Sequence, residues 1–251
     1  MNKGIKTGIS SSTIKHIAYT TMLIDHFAAL IYVNIYGKTE TYILLRNIGR
    51  IAFPLFCFMV VEGSKNTTNK INYLYRLIIL YIISIIPYSY ATTGSININN
   101  GNNVILTLIL GLISIEVANS MKFNNIEKYS IFLICCLLAF GLKSDYGASG
   151  VIAIYVLNKL KDNRILQVIT GYLAFIISYS SLNAIELIMR TKYNFLYLFI
   201  KSFKAEYLSF IGYIILLFYN NKKGIQANKW IYYIIYPLQY IIYGYIRFHL
   251  I

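Results

Sequence analysis

The chain has 251 residues, of which 57% are hydrophobic and only 13% are charged. Its mean hydropathy of +0.58 excludes an ordinary soluble globular domain and favours a chain that lies in a bilayer. The formal charge of +14 falls mostly in short connections, where it suits anionic lipid headgroups, and no soluble basic domain is available to bind nucleic acid.

The hydrophobic residues fall into about nine segments separated by short polar patches. Most segments can cross a hydrocarbon core about 30 Å thick, and they lack the strict alternation of barrel strands. We therefore predict an all-α, polytopic membrane protein that forms one integral domain over residues 1–251, with residues 1–13 as a cytoplasmic tail. The predicted segments are 14–36, 42–61, 73–91, 104–118, 129–142, 146–157, 165–180, 207–219 and 230–248.

Basic residues predict how the chain is oriented in the membrane. Alternate connections are rich in Lys and Arg, which places them and the N-terminus inside a bacterial cytoplasmic membrane and the C-terminus outside. The exception is the region 183–206, which we interpret as one or two amphipathic helices at the outer interface. The basic connections carry Lys3, Lys6, Lys65, Lys70, Lys122, Lys128, Lys159, Lys161, Arg164, Lys222 and Lys223.

The three cysteines do not indicate a metal or redox site. Cys57, Cys135 and Cys136 all lie within apolar segments. Adjacent cysteines rarely form a disulfide, so we interpret all three as small buried side chains and predict no metal.

Four ionisable residues stand inside the first two segments: Asp25, His26, Arg46 and Arg50. Such groups are costly in lipid and are therefore functional candidates. Helical rise places His26 about 18 Å from the cytoplasmic start of the first segment. Arg50 lies about 13 Å from the outer start of the second segment, which runs in the opposite direction. The two residues therefore lie at similar depth in the membrane. Arg46 and Arg50 share a helix face. Asp25 diverges from His26 by about 100°, so it suits an arginine counter-ion better than a dyad with His26.

Lys15 precedes His26 by eleven residues, so the two share a helix face about 16 Å apart. A long thioester could span that gap, with its phosphates near Lys15 and its acyl group near His26. The alternative is structural: Asp25 and His26 as a polar packing pair, and Arg46 extending to the outer interface. Arg50 lies too deep in its segment to extend to the outer interface.

Several short motifs, in this order and spacing, resemble the TraX-like family of integral membrane acyltransferases, whose type member is a pilin acetylase. The resemblance covers almost the whole chain, and the broader transmembrane acyltransferases are similar in their spacing of a basic residue, an intramembrane His and an arginine pair. The motifs are Met22, Asp25 and His26 in MLIDHF, RNIGRIAFP at 46–54, FMVVEG at 58–63, Asn103 and Thr107 in NVILTLILGL, DYGASG at 145–150 and YPL at 236–238.

The resemblance implies acetyl transfer from acetyl-CoA to an amine or hydroxyl acceptor such as a pilin-like peptide, a glycan or a secreted peptide. We expect His26 to act as general base, with Asp25 and Arg50 as the other catalytic candidates. Arg50 would stabilise the oxyanion or hold donor phosphates. The donor would be bound by Lys15, Arg46 and Arg50, and the acceptor by Asn103, Thr107, Asp145 and Gln239.

The chain departs from the family pattern at Gln239, where many relatives have His, and at Ile85 and Ser89, where many have acidic residues. Glutamine cannot act as a base at neutral pH. A non-enzymatic transporter or accessory protein of a conjugation or secretion system is therefore the alternative, although the sequence has no inverted repeat. For Asn103 and Thr107 the alternative is an ordinary helix start, and Asp145 is also placed to cap the sixth segment.

Overall fold

A computed structural model describes residues 8–225 and 228–251, and within them the fold is all-helical, as predicted, apart from an isolated bridge between Ile9 and Tyr219. The predicted tail lies largely outside these residues, and α1 already begins at Ser11. The helices are α1 (Ser11–Phe27), α2 (Val33–Tyr36), α3 (Glu40–Gly49), α4 (Ala52–Asn66), α5 (Lys70–Thr93), α6 (Val104–Asn119), α7 (Asn125–Gly141), α8 (Gly147–Lys159), α9 (Arg164–Ile188), α10 (Phe195–Glu206), α11 (Phe210–Leu217) and α12 (Lys229–His249).

Short polar residues start most of these helices. Each accepts a hydrogen bond from a backbone N–H of the first turn, which would otherwise lack a partner. Asn124 forms a full capping box with Glu127. The capping residues are Ser10, Thr39, Asn69, Asn103, Asn124, Asn163, Asn194 and Asn228. The Asn-rich connections therefore set where the apolar helices begin.

Each of the nine predicted segments overlaps a helix or a run of helices among the described residues. Three of these are long and apolar enough to cross a membrane: Glu40–Asn66, Lys70–Thr93 and Arg164–Ile188. Large apolar side chains remain exposed along α5, α7, α9 and α12, which suits lipid contact. The chain is a helical membrane protein. Its nine crossings and its orientation remain predictions.

The region 183–206 contains the end of α9 and the whole of α10. α9 runs on to Ile188, and α10 then turns back and packs along it, burying Leu198, Ser202 and Glu206. A single 3₁₀ turn, Tyr207–Ser209, joins α10 to α11. α10 buries one face and exposes the other, as an amphipathic helix does, and its place at the outer interface stays a prediction.

Irregular turns interrupt the helices next to the ionisable residues. A π-helix, Ala28–Tyr32, follows His26 directly; such turns are often found at functional sites. α3 and α4 are separated at Arg50, whose N–H bonds to the Asn47 carbonyl at 3.2 Å. Pro54 accounts for this break, because it cannot donate to the carbonyl of Arg50 and its ring crowds that carbonyl. The break directs Arg50 to a different partner from Arg46.

Candidate functional site

One cavity, of about 280 Å³, collects the ionisable residues of the first two segments with groups from distant parts of the chain. We call it the His26 cavity. α1, α3, α5, α8, α10 and α12, or the turns beside them, all contribute to its wall. Its polar lining consists of Asp25, His26, Arg46, Arg50, Tyr88, Thr92, Asp145, Tyr146, Tyr179, Glu206 and Tyr240.

The two arginines form ion pairs with two different carboxylates. Arg46 Nη1 lies 2.7 Å from Asp25 Oδ2, so the structure places Asp25 as the counter-ion of an arginine. Arg50 Nη1 lies 2.5 Å from Glu206 Oε1, with only 1% of the Glu206 side chain exposed. Gly49 makes the first pair possible, because a Cβ there would overlap the Asp25 carboxylate. The two guanidinium groups therefore line one cavity but do not form a free strip of positive charge.

His26 is half-buried in this cavity, and the hydroxyl of Tyr240 lies 3.1 Å from its Nε2. The Gln239 side chain also interacts with His26, and its Nε2 points to Met22 Sδ at 3.8 Å. Among the described residues, neither His26 Nδ1 nor Gln239 Oε1 has a hydrogen bond of good geometry. Tyr240 therefore holds one ring nitrogen of His26, and the other is buried beside Gln239 without a hydrogen bond of good geometry.

Asp145 lines the cavity from the turn between α7 and α8. Tyr88 donates to its carboxylate at 3.1 Å, and the Val104 N–H also bonds to it. Burial raises the pKa of Asp145 to about 6, while the Tyr88 hydrogen bond acts in the opposite direction. Asp145 therefore stabilises the start of α6. The expected cap on α8 is wrong, since Tyr146 occupies that N-cap position in the left-handed region.

Tyr146 itself closes the cavity wall. Its ring stacks on Phe53 with centroids 3.7 Å apart, and its hydroxyl accepts from Arg50 Nη1 at 3.5 Å. Gly150 permits this packing, because a Cβ there would collide with Thr107 and Phe53.

Asn103 and Thr107 lie behind the cavity wall and are fully buried. Asn103 accepts from the Ile105 N–H as the N-cap of α6. Thr107 bonds to Ser144 Oγ at 2.8 Å and to the Asp145 carbonyl. Thr107 therefore holds the turn that carries Asp145, whereas Asn103 fixes the start of α6. The role of both residues in acceptor binding remains a prediction.

Lys15 lies apart from this group, in a second cavity of about 510 Å³ that we call the Lys15 cavity. Its ammonium sits over the Tyr232 ring at 4.8 Å. The polar lining consists of Ser11, Lys15, Tyr19, Glu62, Asn66, Thr67, Tyr73, Arg76, Lys223, Tyr232, Tyr233 and Tyr236. Met22, Phe56 and Val104 line both cavities. The two cavities therefore meet at these three side chains.

Sequence reasoning missed Glu206 and the tyrosines of the site, Tyr88, Tyr146 and Tyr240. Glu206 belongs to a stretch with Lys201 and Lys204, which conceals it as one more surface charge. The chain contains 25 tyrosines, so a single tyrosine carries no signal. The YPL and DYG motifs, which stand next to Tyr240 and around Tyr146, were the usable clue.

The sequence is similar to a known protein and to a known protein family. The chain is 31% identical over 173 residues to a protein described as "Probable fimbrial assembly protein FimC, serogroup H1" from Dichelobacter nodosus, a match that covers 66% of this chain and 68% of that protein. No solved structure matches the chain. The family model described as TraX protein matches residues 10–247, and the chain therefore belongs to the TraX family.

Proposed function

We propose that this protein is a multi-pass acetyltransferase of the bacterial cytoplasmic membrane, which moves an acetyl group from acetyl-CoA to an amine or hydroxyl on the far side. The observation that carries the proposal is the junction of two cavities. One presents Lys15 and Arg76, and the other presents His26, whose Nδ1 makes no hydrogen bond of good geometry among the described residues. A thioester whose phosphates remain in the Lys15 cavity would extend its acetyl group past Met22 and Phe56 to His26.

In the proposed reaction His26 takes the proton from the acceptor N–H or O–H as the acceptor attacks the thioester carbonyl. The tetrahedral oxyanion then collapses, the C–S bond breaks, and the CoA thiolate leaves. The imidazolium returns the proton to that thiolate, so the products are acetylated acceptor and free CoA. Tyr240, 3.1 Å from Nε2, would fix the orientation of the imidazole ring.

Arg50 suits oxyanion stabilisation better than phosphate binding. Its guanidinium is half-buried and already shared between Glu206 and Tyr146, which holds it in one orientation. A fixed cation with low solvent access stabilises developing negative charge without having to reorganise. Arg46, held by Asp25, lies beside it in the same wall.

The similarity to a fimbrial assembly protein favours a pilin-like peptide as acceptor over a glycan or another secreted peptide. An N-terminal amine would bring a positive charge, and the cavity offers Asp145, whose carboxylate is held by Tyr88 rather than by an arginine. That amine must release one proton to solvent before attack, and His26 takes the second proton as the bond to the acetyl carbon forms.

Radiolabel transfer tests the proposal. Purified protein in detergent, given acetyl-CoA labelled in the acetyl group and a membrane extract as acceptor source, should label the extract. His26→Ala should reduce the rate about a hundredfold or more while eluting as a folded monodisperse species. His249→Ala, which alters an exposed histidine at the end of α12, should label normally. Equal labelling by His26→Ala would contradict the role of His26.

A second candidate is a non-enzymatic assembly factor, and Gln239 favours it. This residue stands where many relatives have His, and it is only 4% exposed beside His26. An assembly factor would support fimbriation equally well with His26→Ala, whereas the enzyme would not.

A further inference from the structure

The backbone at Tyr146 adopts a conformation that disfavours its side chain. Tyr146 directly precedes α8 with φ of 62° and ψ of −9°, which lies in the left-handed region, where a bulky residue is an outlier. Such a conformation costs free energy and persists only where the surrounding structure enforces it, most often at functional sites. Glycine would adopt it without strain, so the presence of tyrosine here points to a requirement for its side chain.

The aromatic ring of Tyr146 is held on more than one side. It stacks on Phe53 with 3.7 Å between the centroids and 9° between the planes. The rings of Phe175 and Tyr179 each lie 5.9 Å from it, centroid to centroid. This packing restricts rotation of the side chain. The hydroxyl is therefore kept beside Arg50, and both residues line the His26 cavity.

Tyr146 and Arg50 each retain a hydrogen-bond donor. The Tyr146 hydroxyl accepts from Arg50 Nη1 at 3.5 Å, and no described residue accepts its proton. Nη1 is also paired with Glu206, whereas the buried Nε of Arg50 has no partner among the described residues. A buried donor without an acceptor is costly, and a hydroxyl bound by a guanidinium is polarised and donates more strongly. These two donors favour an oxygen that carries negative charge.

We propose that Tyr146 donates the second oxyanion hydrogen bond of acetyl transfer, beside Arg50. This role rests on the proposed acetyltransferase function and assigns it a further catalytic residue. As the acceptor attacks the thioester carbonyl, the π electron pair moves to oxygen, which accepts from the Tyr146 O–H and from Arg50. Tyr146 keeps its proton throughout. The C–O double bond re-forms as the C–S bond breaks and the CoA thiolate leaves, so both hydrogen bonds are strongest in the transition state, where donors fixed in advance act without reorganising.

Tyr146→Phe removes the hydroxyl and keeps the ring that stacks on Phe53. In the assay with labelled acetyl-CoA, we expect kcat to fall about a hundredfold. The KM for acetyl-CoA and the thermal midpoint should stay at their wild-type values, because an interaction made only in the transition state affects neither. Tyr172→Phe is the matched control, since the Tyr172 hydroxyl donates to the Tyr207 carbonyl at 3.2 Å and Tyr172 lines neither cavity. It should transfer acetyl at the wild-type rate.

Tyr146→Gly gives a second test, because glycine suits the left-handed backbone but supplies no hydroxyl. It should transfer acetyl no faster than Tyr146→Phe. Wild-type kcat in a folded Tyr146→Phe or Tyr146→Gly protein would overturn the role of Tyr146 while leaving the acetyltransferase intact. A raised KM at unchanged kcat would assign the hydroxyl to substrate binding and would also overturn that role. Wild type that transfers no acetyl at all would refute the acetyltransferase itself, and the role of Tyr146 with it.

Discussion

At the residue scale, the deepest charges are satisfied in pairs that join remote parts of the chain. Arg50 follows α3, whereas Glu206 ends α10, and both are largely withdrawn from solvent. Breaking a buried pair leaves one charge without compensation, which is far more costly than losing an exposed pair. The pair thus couples the first helices to the last third of the molecule.

Glu206→Gln should destabilise the protein by about 3 kcal/mol, seen as a thermal midpoint several degrees lower in detergent. Glu186→Gln is the matched control, because Glu186 pairs with Arg190 at 3.0 Å but the two side chains are 36% and 57% exposed. This change should cost less than about 0.5 kcal/mol. Combining Arg50→Gln with Glu206→Gln should cost less than the sum of the single changes. Strictly additive effects would mean that the two residues act independently.

Asp145 predicts a pH dependence of stability. Its pKa of about 6 in the folded chain exceeds the ordinary value of 3.8, so the native state holds a proton that the unfolded chain has already lost. The stabilisation from this proton is complete below about pH 4 and disappears as the pH rises to about 6. Relative to Asp145→Asn, the thermal midpoint of wild type should fall across that window and stay level above it. Parallel curves for the two proteins would contradict this assignment.

At the scale of elements, the close approach of α1 and α3 depends on Gly49. A Cβ there would overlap the Asp25 carboxylate, whereas a Cβ at Gly141, near the end of α7, would meet nothing within 4 Å. Gly49→Ala should therefore lower the thermal midpoint and impair acetyl transfer, since Asp25 must leave Arg46. Gly141→Ala should be neutral or slightly stabilising, because alanine reduces the freedom of the unfolded chain. Similar behaviour of the two variants would refute the proposed contact.

The helices themselves were predictable, because apolar runs bounded by Asn and Ser caps carry their own signal. The meeting of His26, Arg46 and Arg50 in one cavity also followed from helical rise and direction. The residues that contact this group could not be predicted in the same way. Glu206 required knowing that α10 folds back along α9, and Tyr240 required knowing that α12 packs against α1. Such contacts arise from tertiary packing, which local patterns do not encode.

At the scale of the whole molecule, two cavities share Met22, Phe56 and Val104 in their walls, and in the proposed enzyme this junction would decide which acyl groups pass. Phe56→Ala should widen it and raise the rate with hexanoyl-CoA relative to acetyl-CoA. Phe132→Ala provides the control, because Phe132 is equally half-buried but packs on Tyr155 away from both cavities. The ratio of the rates with the two donors does not depend on how much of each variant is folded. An unchanged ratio in Phe56→Ala would show that the acyl group does not pass this point.

The central claim is that acetyl passes from the Lys15 cavity to the His26 cavity, and transfer in sealed vesicles of known orientation tests it most directly. Labelled acetyl-CoA should be supplied to one face only, with label incorporation followed on the other. We predict transfer when the donor meets the face that carries Lys15 and Lys223, no transfer from the opposite face, and loss of transfer in His26→Ala. Transfer that is independent of the donor's side, or that survives in His26→Ala, would contradict it.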